Sequence, residues 1–528
     1  MESFKIIANA YVITCDPNNR AGLLNLLIRN DRIVEVSNRL DLFTSLHPYA
    51  TVLDASNRLV IPGFVNAHFH SESILLGART DSLHCSLWKT DLRIQECVRG
   101  LLDPINHDDV RNIYLMSYFR HLKSGTTCVG EYSLPYGEGE FAHMLNCIER
   151  TEVKYVVGLQ NWDQIAKARG LTGGRHRFLV NVGKEEELTV YSFENLLRAA
   201  RDMKVPLLAH VGEQRSDVEL IKKAFQKSIL GVLQDFTAVR PDTVFVHLNH
   251  LSSQEIETVS EADASVVICA RSAAFKRTGY PSLRHLAQER IRLAVGTDWG
   301  SVDMLEELKF LHQLHLLISG IPEFSPLQLV RMGTINGAHA LGLSYECGSI
   351  EAGKKADLAF YSLGDIRLPV VSEYANAESL SSLLVNHLTS RDVTDVMING
   401  EFYVAKGQVM TMAEEEIVEG FRATHVRFFQ GDARQNMLST PLEFDPSIAR
   451  SDLKILPFTT SNRGSQQPDE GFESGFRVAE LPPSVIQMKP DNINTQPPIT
   501  VIPPKDIPRA KQEPSKDVWL TFGEEEDF

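Results

Sequence analysis

The stretch IPGFVNAHFHSES, residues 61–73, is an apolar run that ends abruptly in polar side chains. In an extended strand, residues two apart share a face, so His68 and His70 point the same way from the strand's end. Three further stretches repeat the plan. VPLLAHVGEQ (205–214) ends in His210 and Glu213, TVFVHLNHLSS (243–253) in His247 and His250, and IRLAVGTDWGS (291–301) in Asp298. Strands that each finish in an imidazole or a carboxylate suit a parallel barrel, whose working groups lie at the C-terminal ends of its strands.

The surrounding pattern agrees. Between 61 and 344, short β-branched runs alternate with longer amphipathic stretches. Candidate strands are Thr127–Gly130, Tyr155–Leu159, Phe178–Val182, Val205–Ala209, Val244–Val246, Ala264–Ile268 and Arg292–Gly296, with helices such as Glu194–Met203 and Ser253–Val259 between them. Alternation of this kind predicts a parallel sheet with helical crossovers. Counting the strand before His68, eight units predict a (β/α)8 TIM-like barrel over 61–344. Periodicity alone leaves an open, doubly wound sheet as the alternative.

The flanks read differently. Residues 1–60 look like short strands broken by DPNN and RND, and 345–411 carries a second β-rich patch. Together they predict one small β-sandwich built from both ends of the chain. A C-terminal helical extension follows at 412–450, in which 412–430 forms one amphipathic helix with acids in its first turn, as the helix dipole favours. From 451 to 528 the chain is rich in proline, holding eleven of the 24 prolines, and the composition predicts a disordered tail. Its end, DVWLTFGEEEDF, is either a solvated terminus or a docking motif for another protein.

A net charge of −15 argues against nucleic acid or an anionic membrane as partner. No run approaches the roughly 20 apolar residues of a transmembrane helix, and the N-terminus lacks the pattern of a signal peptide. Seven scattered cysteines without a CxxC pair suit a reduced, cytoplasmic protein.

Each polar candidate has a bland explanation when taken alone. A histidine at a buried strand end is often a hydrogen-bonded core residue, and an aspartate there often caps a turn. Four strand ends delivering such groups to one barrel mouth are another matter. Imidazole nitrogen and carboxylate oxygen form a donor set for one divalent ion, zinc before iron.

The order HxH after PG, then HVGE, HLNHLS and GTD resembles the amidohydrolase superfamily, in its cytosine/guanine deaminase and triazine chlorohydrolase branch. GTTCVGEYS (125–133), TINGAHALGL (334–343), GSIEAGKKADL (348–358) and INGEFYVAKGQV (398–409) extend the likeness over residues 5–412. The resemblance implies that His68, His70, His210 and Asp298 ligate the metal and that Asp298 takes a proton from water. It implies that Glu213 shuttles that proton and that His247 steadies developing charge, with His250 structural. The expected function is hydrolysis of a non-peptide C–N bond in a small heterocycle, foremost a deamination. Cyclic-amide or ring C–Cl hydrolysis is the neighbouring alternative. An inactive scaffold with a partner-binding tail is the alternative of another class. Homo-oligomers are common among similar proteins.

Three departures stand out. Many relatives have CPRSN before the last strand, where this chain has CARSA (269–273). Arg271 within it is a candidate for an anionic substrate group or an exposed loop arginine. Trp299, after the aspartate, is a candidate to stack on a flat substrate or to pack under the rim. Lys184, in VGKEEELTVYS (182–192), raises the alternative of a second metal site.

Overall fold

The computed structural model describes residues 3–429 other than 81, 82, 84, 89, 104–106, 172–175, 183–189 and 373. Lys184 and the proline-rich tail lie outside the described residues.

The chain opens with β1 (Phe4–Ile13), β2 (Ala21–Arg29), β3 (Arg32–Ser37), β4 (Thr51–Asp54) and β5 (Arg58–Pro62). A short helix, Leu40–Leu46, interrupts what the sequence reads as strands only, and Phe43 is the one residue it buries. Eight barrel strands follow: β6 (Phe64–Phe69), β7 (Thr126–Glu131), β8 (Lys154–Leu159), β9 (Arg177–Asn181), β10 (Leu207–Val211), β11 (Thr243–His247), β12 (Ser265–Ile268) and β13 (Arg292–Val295). They are parallel and pair in chain order. The fifth begins two residues later than the pattern suggests, after Pro206, which has no N–H to give to a ladder.

Every residue of β6, β7, β10, β11 and β12 is buried. That is why these segments read as unbroken apolar runs: helices cover one face and packed side chains fill the other. The open-sheet alternative fails where the ends of the sheet meet. Asp298 N–H donates to the His68 carbonyl at 2.9 Å, and His70 N–H to the Asp298 carbonyl at 3.1 Å. Gly296 permits this approach, since a Cβ there would fall 2.7 Å from His68 Cβ. The contact that joins last strand to first therefore runs through three of the four expected ligands.

The remaining strands, β14 (Leu358–Ser362), β15 (Val393–Ile398), β16 (Glu401–Ala405) and β17 (Gln408–Val409), join the N-terminal ones. β14 pairs with β5, so nine strands from both ends of the chain form one mixed sheet. Helix Glu414–Phe429 packs on helix Asp108–Lys123, tied by Thr424 Oγ1 to Asp109 at 2.8 Å and by Lys123 to Glu414 at 2.7 Å. No helix among the described residues is long and apolar enough to cross a membrane.

Candidate active site

His68 ends the inward face of β6 and is fully buried, with His70 just beyond the strand. His210 lies within β10, Glu213 two residues past it, and His247 closes β11. Asp298 follows β13 after Gly296 and Thr297. His247 and Asp298 take left-handed backbone angles, φ +80° and +57°. Non-glycine residues in that region are disfavoured and persist where the surroundings hold them, often at functional sites. Here they turn the chain sharply at the strand ends.

These side chains meet. His210 Nε2 lies 3.3 Å from His68 Nε2, and Asp298 Oδ1 lies 3.6 Å from His68 Nε2 and 3.5 Å from His70 Nε2. Donor atoms of His68, His210 and His247 fall within 4.8 Å of one another, as do those of His68, His70 and Asp298. Among the described residues, Asp298 Oδ1 is buried with no hydrogen-bond partner. A buried carboxylate oxygen left bare is costly unless a cation takes it. Three buried imidazoles of the cluster are held neutral. Burial pushes His68 down, burial and the neighbouring rings push His210 well down, and burial brings His247 to about 4. Burial works against the charge of Asp298 too, yet Lys276 and the adjacent imidazoles hold its carboxyl well below the usual range. Neutral nitrogens around an ionised oxygen are the donor set a divalent ion such as zinc requires.

Glu213 Oε2 lies 3.7 Å from His247 Nε2, and its Oε1 accepts from Lys276 Nζ at 2.9 Å. Lys276 is the residue that motif reading missed. It ends helix Ala270–Lys276, is 4% exposed, and also donates to Asp298 Oδ2 at 2.5 Å. Burial opposes its charge, but Asp298 and Glu213 outweigh that and raise its pKa. Ser272 of the same helix adds a second bond to Asp298 Oδ2 at 2.6 Å. No spacing rule ties Lys276 to the end of β12, eight residues upstream at Ile268; the CARSA departure is the one local signal.

The other candidates settle as follows. His250 Nε2 contacts the Thr278 carbonyl at 2.7 Å and so steadies the loop after Lys276. The Arg271 guanidinium is taken by Glu306 at 2.6 Å and Ser301 at 3.0 Å, and so has protein partners rather than an open anion pocket. Trp299 Nε1 donates to Thr80 Oγ1 at 2.9 Å. Its ring centroid lies 4.9 Å from Trp88 and 5.8 Å from His70, so two indoles stand beside the ligand cluster. Trp88 too escaped the sequence reading.

Known proteins share this architecture. An adenosine deaminase from Xanthomonas campestris, solved with bound zinc, superposes with a TM-score of 0.71 at 22% identity, covering 81% of this chain and 98% of that one. An atrazine chlorohydrolase from Arthrobacter aurescens, also with zinc, gives 0.71 at 19% identity over 80% and 100%. At these identities the likeness speaks for the fold. By sequence, a 5-methylthioadenosine/S-adenosylhomocysteine deaminase of Moorella thermoacetica is 27% identical, over 70% of this chain and 86% of the relative. A 5'-deoxyadenosine deaminase of Methanosarcina acetivorans is 26% identical over 79% and 96%. The model of the amidohydrolase family matches residues 59–403. With that span of match, a helix-covered parallel barrel and a histidine-rich metal site at its mouth, the chain belongs to the amidohydrolase family and is a hydrolase of non-peptide C–N bonds.

Proposed function

We propose that the protein is a metal-dependent deaminase of adenine-type nucleosides, with one divalent ion held by His68, His70, His210 and Asp298. The observation that carries this is the ionised Asp298 carboxylate, whose buried Oδ1 has no hydrogen-bond partner among the described residues and lies 3.6 Å from His68 Nε2 and 3.5 Å from His70 Nε2. The adenine nucleosides named for the Moorella and Methanosarcina relatives supply the substrate class. When bound, the ion supplies the Lewis acidity that makes water a nucleophile near neutral pH. Everything else falls to side chains of this chain. Glu213, at the pocket wall, gives a proton to the purine ring nitrogen beside the amino-bearing carbon. That carbon is a poor electrophile until the nitrogen is protonated. His247, neutral and with Nε2 buried, offers a hydrogen bond where charge develops on the attacked carbon. Glu213 takes the proton it gives from the attacking water, and Asp298 receives the water's other proton and passes it to the departing amino group, so both carboxylates return to their starting forms. Trp88 and Trp299 form a wall against which a flat base can lie. Water enters and ammonia leaves, so a 6-amino purine becomes its 6-oxo product.

A panel tests the reading on zinc-loaded full-length protein: adenosine, 5'-deoxyadenosine, 5-methylthioadenosine, guanine, cytosine, a cyclic amide and a chlorotriazine. Ammonia release from the adenine nucleosides, with the matching hypoxanthine product, is the expected result. Chloride release or ring opening without ammonia would overturn the deaminase reading and leave the fold untouched.

A further inference from the structure

Lys276 lies in none of the stretches that carry the family resemblance, yet its ammonium bridges the two carboxylates of the site. The helix that carries it is fixed at both ends. Glu307 Oε1, buried, accepts Arg271 N–H at 3.0 Å at the start. His250 holds the Thr278 carbonyl at 2.7 Å, and Asn249 Nδ2 donates to Thr278 Oγ1 at 3.3 Å, just past the end. An ammonium has three N–H donors. One meets Asp298 Oδ2 at 2.5 Å and another meets Glu213 Oε1 at 2.9 Å. The rings of Trp88 and Trp299, each 5.8 Å from Nζ, lie within cation–π range.

The consequence is geometric. With Lys276 and Ser272 both on Asp298 Oδ2, only Oδ1 remains to face His68 and His70. With Lys276 on Glu213 Oε1, it is Oε2 that faces His247. We propose that Lys276 is a positioning residue that clamps the outer oxygens of Asp298 and Glu213, fixing which oxygen of each enters the reaction space. The clamp has an electrostatic counterpart. The ammonium neutralises one of two buried negative charges, and it sits on the far oxygen of a carboxylate whose near oxygen would hold a cation. Like charges that close in a buried setting repel far more than freezing one carboxylate rotamer can repay. Lys276 thus loosens the metal while ordering the groups that use it.

The test compares wild type, K276M and K276R as zinc-loaded full-length proteins. Zinc loss to excess EDTA should slow by about tenfold or more in K276M, because a like charge is gone. Its kcat on 5'-deoxyadenosine should fall by about 100-fold, with KM within about threefold, because the two carboxylates lose their fixed aim. K276R, which keeps the charge and a fork of donors, should move both values back towards wild type. A K276M that sheds zinc faster while losing turnover would make Lys276 a mere structural prop and overturn the proposal. So would a kcat within about threefold of wild type. If K276M does not fold, K276Q carries the same comparison. The kcat arm rests on the deaminase reading; should wild type turn over no adenine nucleoside, that reading fails while zinc loss still decides the role of Lys276.

Discussion

Two lysines each meet a buried aspartate, one at either end of the barrel, and the two pairs do opposite things. At the start of β8, Lys154 Nζ contacts Asp357 Oδ2 at 2.6 Å and Asn399 Oδ1 at 3.1 Å, while Asp357 Oδ1 accepts Asn399 N–H at 2.9 Å. Every oxygen of that aspartate has a donor. At the other end, Lys276 and Ser272 crowd one oxygen of Asp298, and the second has no hydrogen-bond partner among the described residues and lies 3.6 Å from His68 Nε2. Burial opposes the charge of both lysines, and in both the facing carboxylates outweigh it. The chemistry of the pairs is the same. What differs is completeness: a satisfied pair joins strands of the barrel and of the mixed sheet, and an unsatisfied one keeps a site open for a ligand.

The sharpest way to break this contrast is at the open end. His210→Ala removes a ring 3.3 Å from His68 Nε2, and its expected outcome is loss of bound zinc and of turnover together. Metal analysis beside the ammonia assay checks it; a zinc-replete, inactive H210A would mean that His210 serves chemistry instead of ligation. Next in size is Glu213→Gln. It keeps an oxygen and an N–H on the same frame but cannot carry a proton. Zinc content should stay at the wild-type level while kcat falls by about 10²–10⁴-fold. Wild-type-like turnover would remove Glu213 from the proton path.

The closed end should respond in the other currency. Lys154→Met strands a buried carboxylate, Asp357 being 4% exposed, and should lower stability by about 3–5 kcal/mol. Zinc content and kcat should hold at temperatures where the protein stays folded. Removing both charges, as in K154M/D357L, should recover part of the loss, since apolar pairs often replace buried ion pairs at little cost. Denaturant melts of the single and double variants measure both. A K154M with intact stability but depressed kcat would erase the division between the two ends.

The same contrast explains what could be read in the sequence. Buried parallel strands leave a strong trace because both faces are apolar, and all eight barrel strands are visible as short apolar runs. The expected ligands are legible for the same reason: each sits at or just beyond the end of such a run, so place in the fold and place in the sequence coincide. Lys276 and Trp88 leave no such trace. They come from a short helix and a loop whose direction depends on tertiary contacts such as Glu307 with Arg271 N–H. Helix Leu40–Leu46 escaped because one buried phenylalanine is too little to set a helical period. Side chains on strands inherit their position from periodicity; side chains on connectors inherit it from packing, which a single sequence does not display.

The smallest effect belongs to Trp299, and it decides between wall and packing. Its indole N–H donates to Thr80 Oγ1, but Thr80 also donates to the Leu76 and Gly77 carbonyls at 3.2 and 3.1 Å. Losing the indole therefore leaves Thr80 with other partners, and Trp299→Phe should cost about 1 kcal/mol of stability. If the ring is a wall for the base, W299F should keep kcat and change KM little, because a phenyl face remains. Trp299→Ala removes the face and the ring beside Trp88, 4.9 Å away. Its KM should rise by about tenfold, the factor that roughly 1.4 kcal/mol of lost stacking produces. Should W299A instead lose stability with KM unchanged, the indole is packing under the rim, and the flat substrate finds its wall elsewhere.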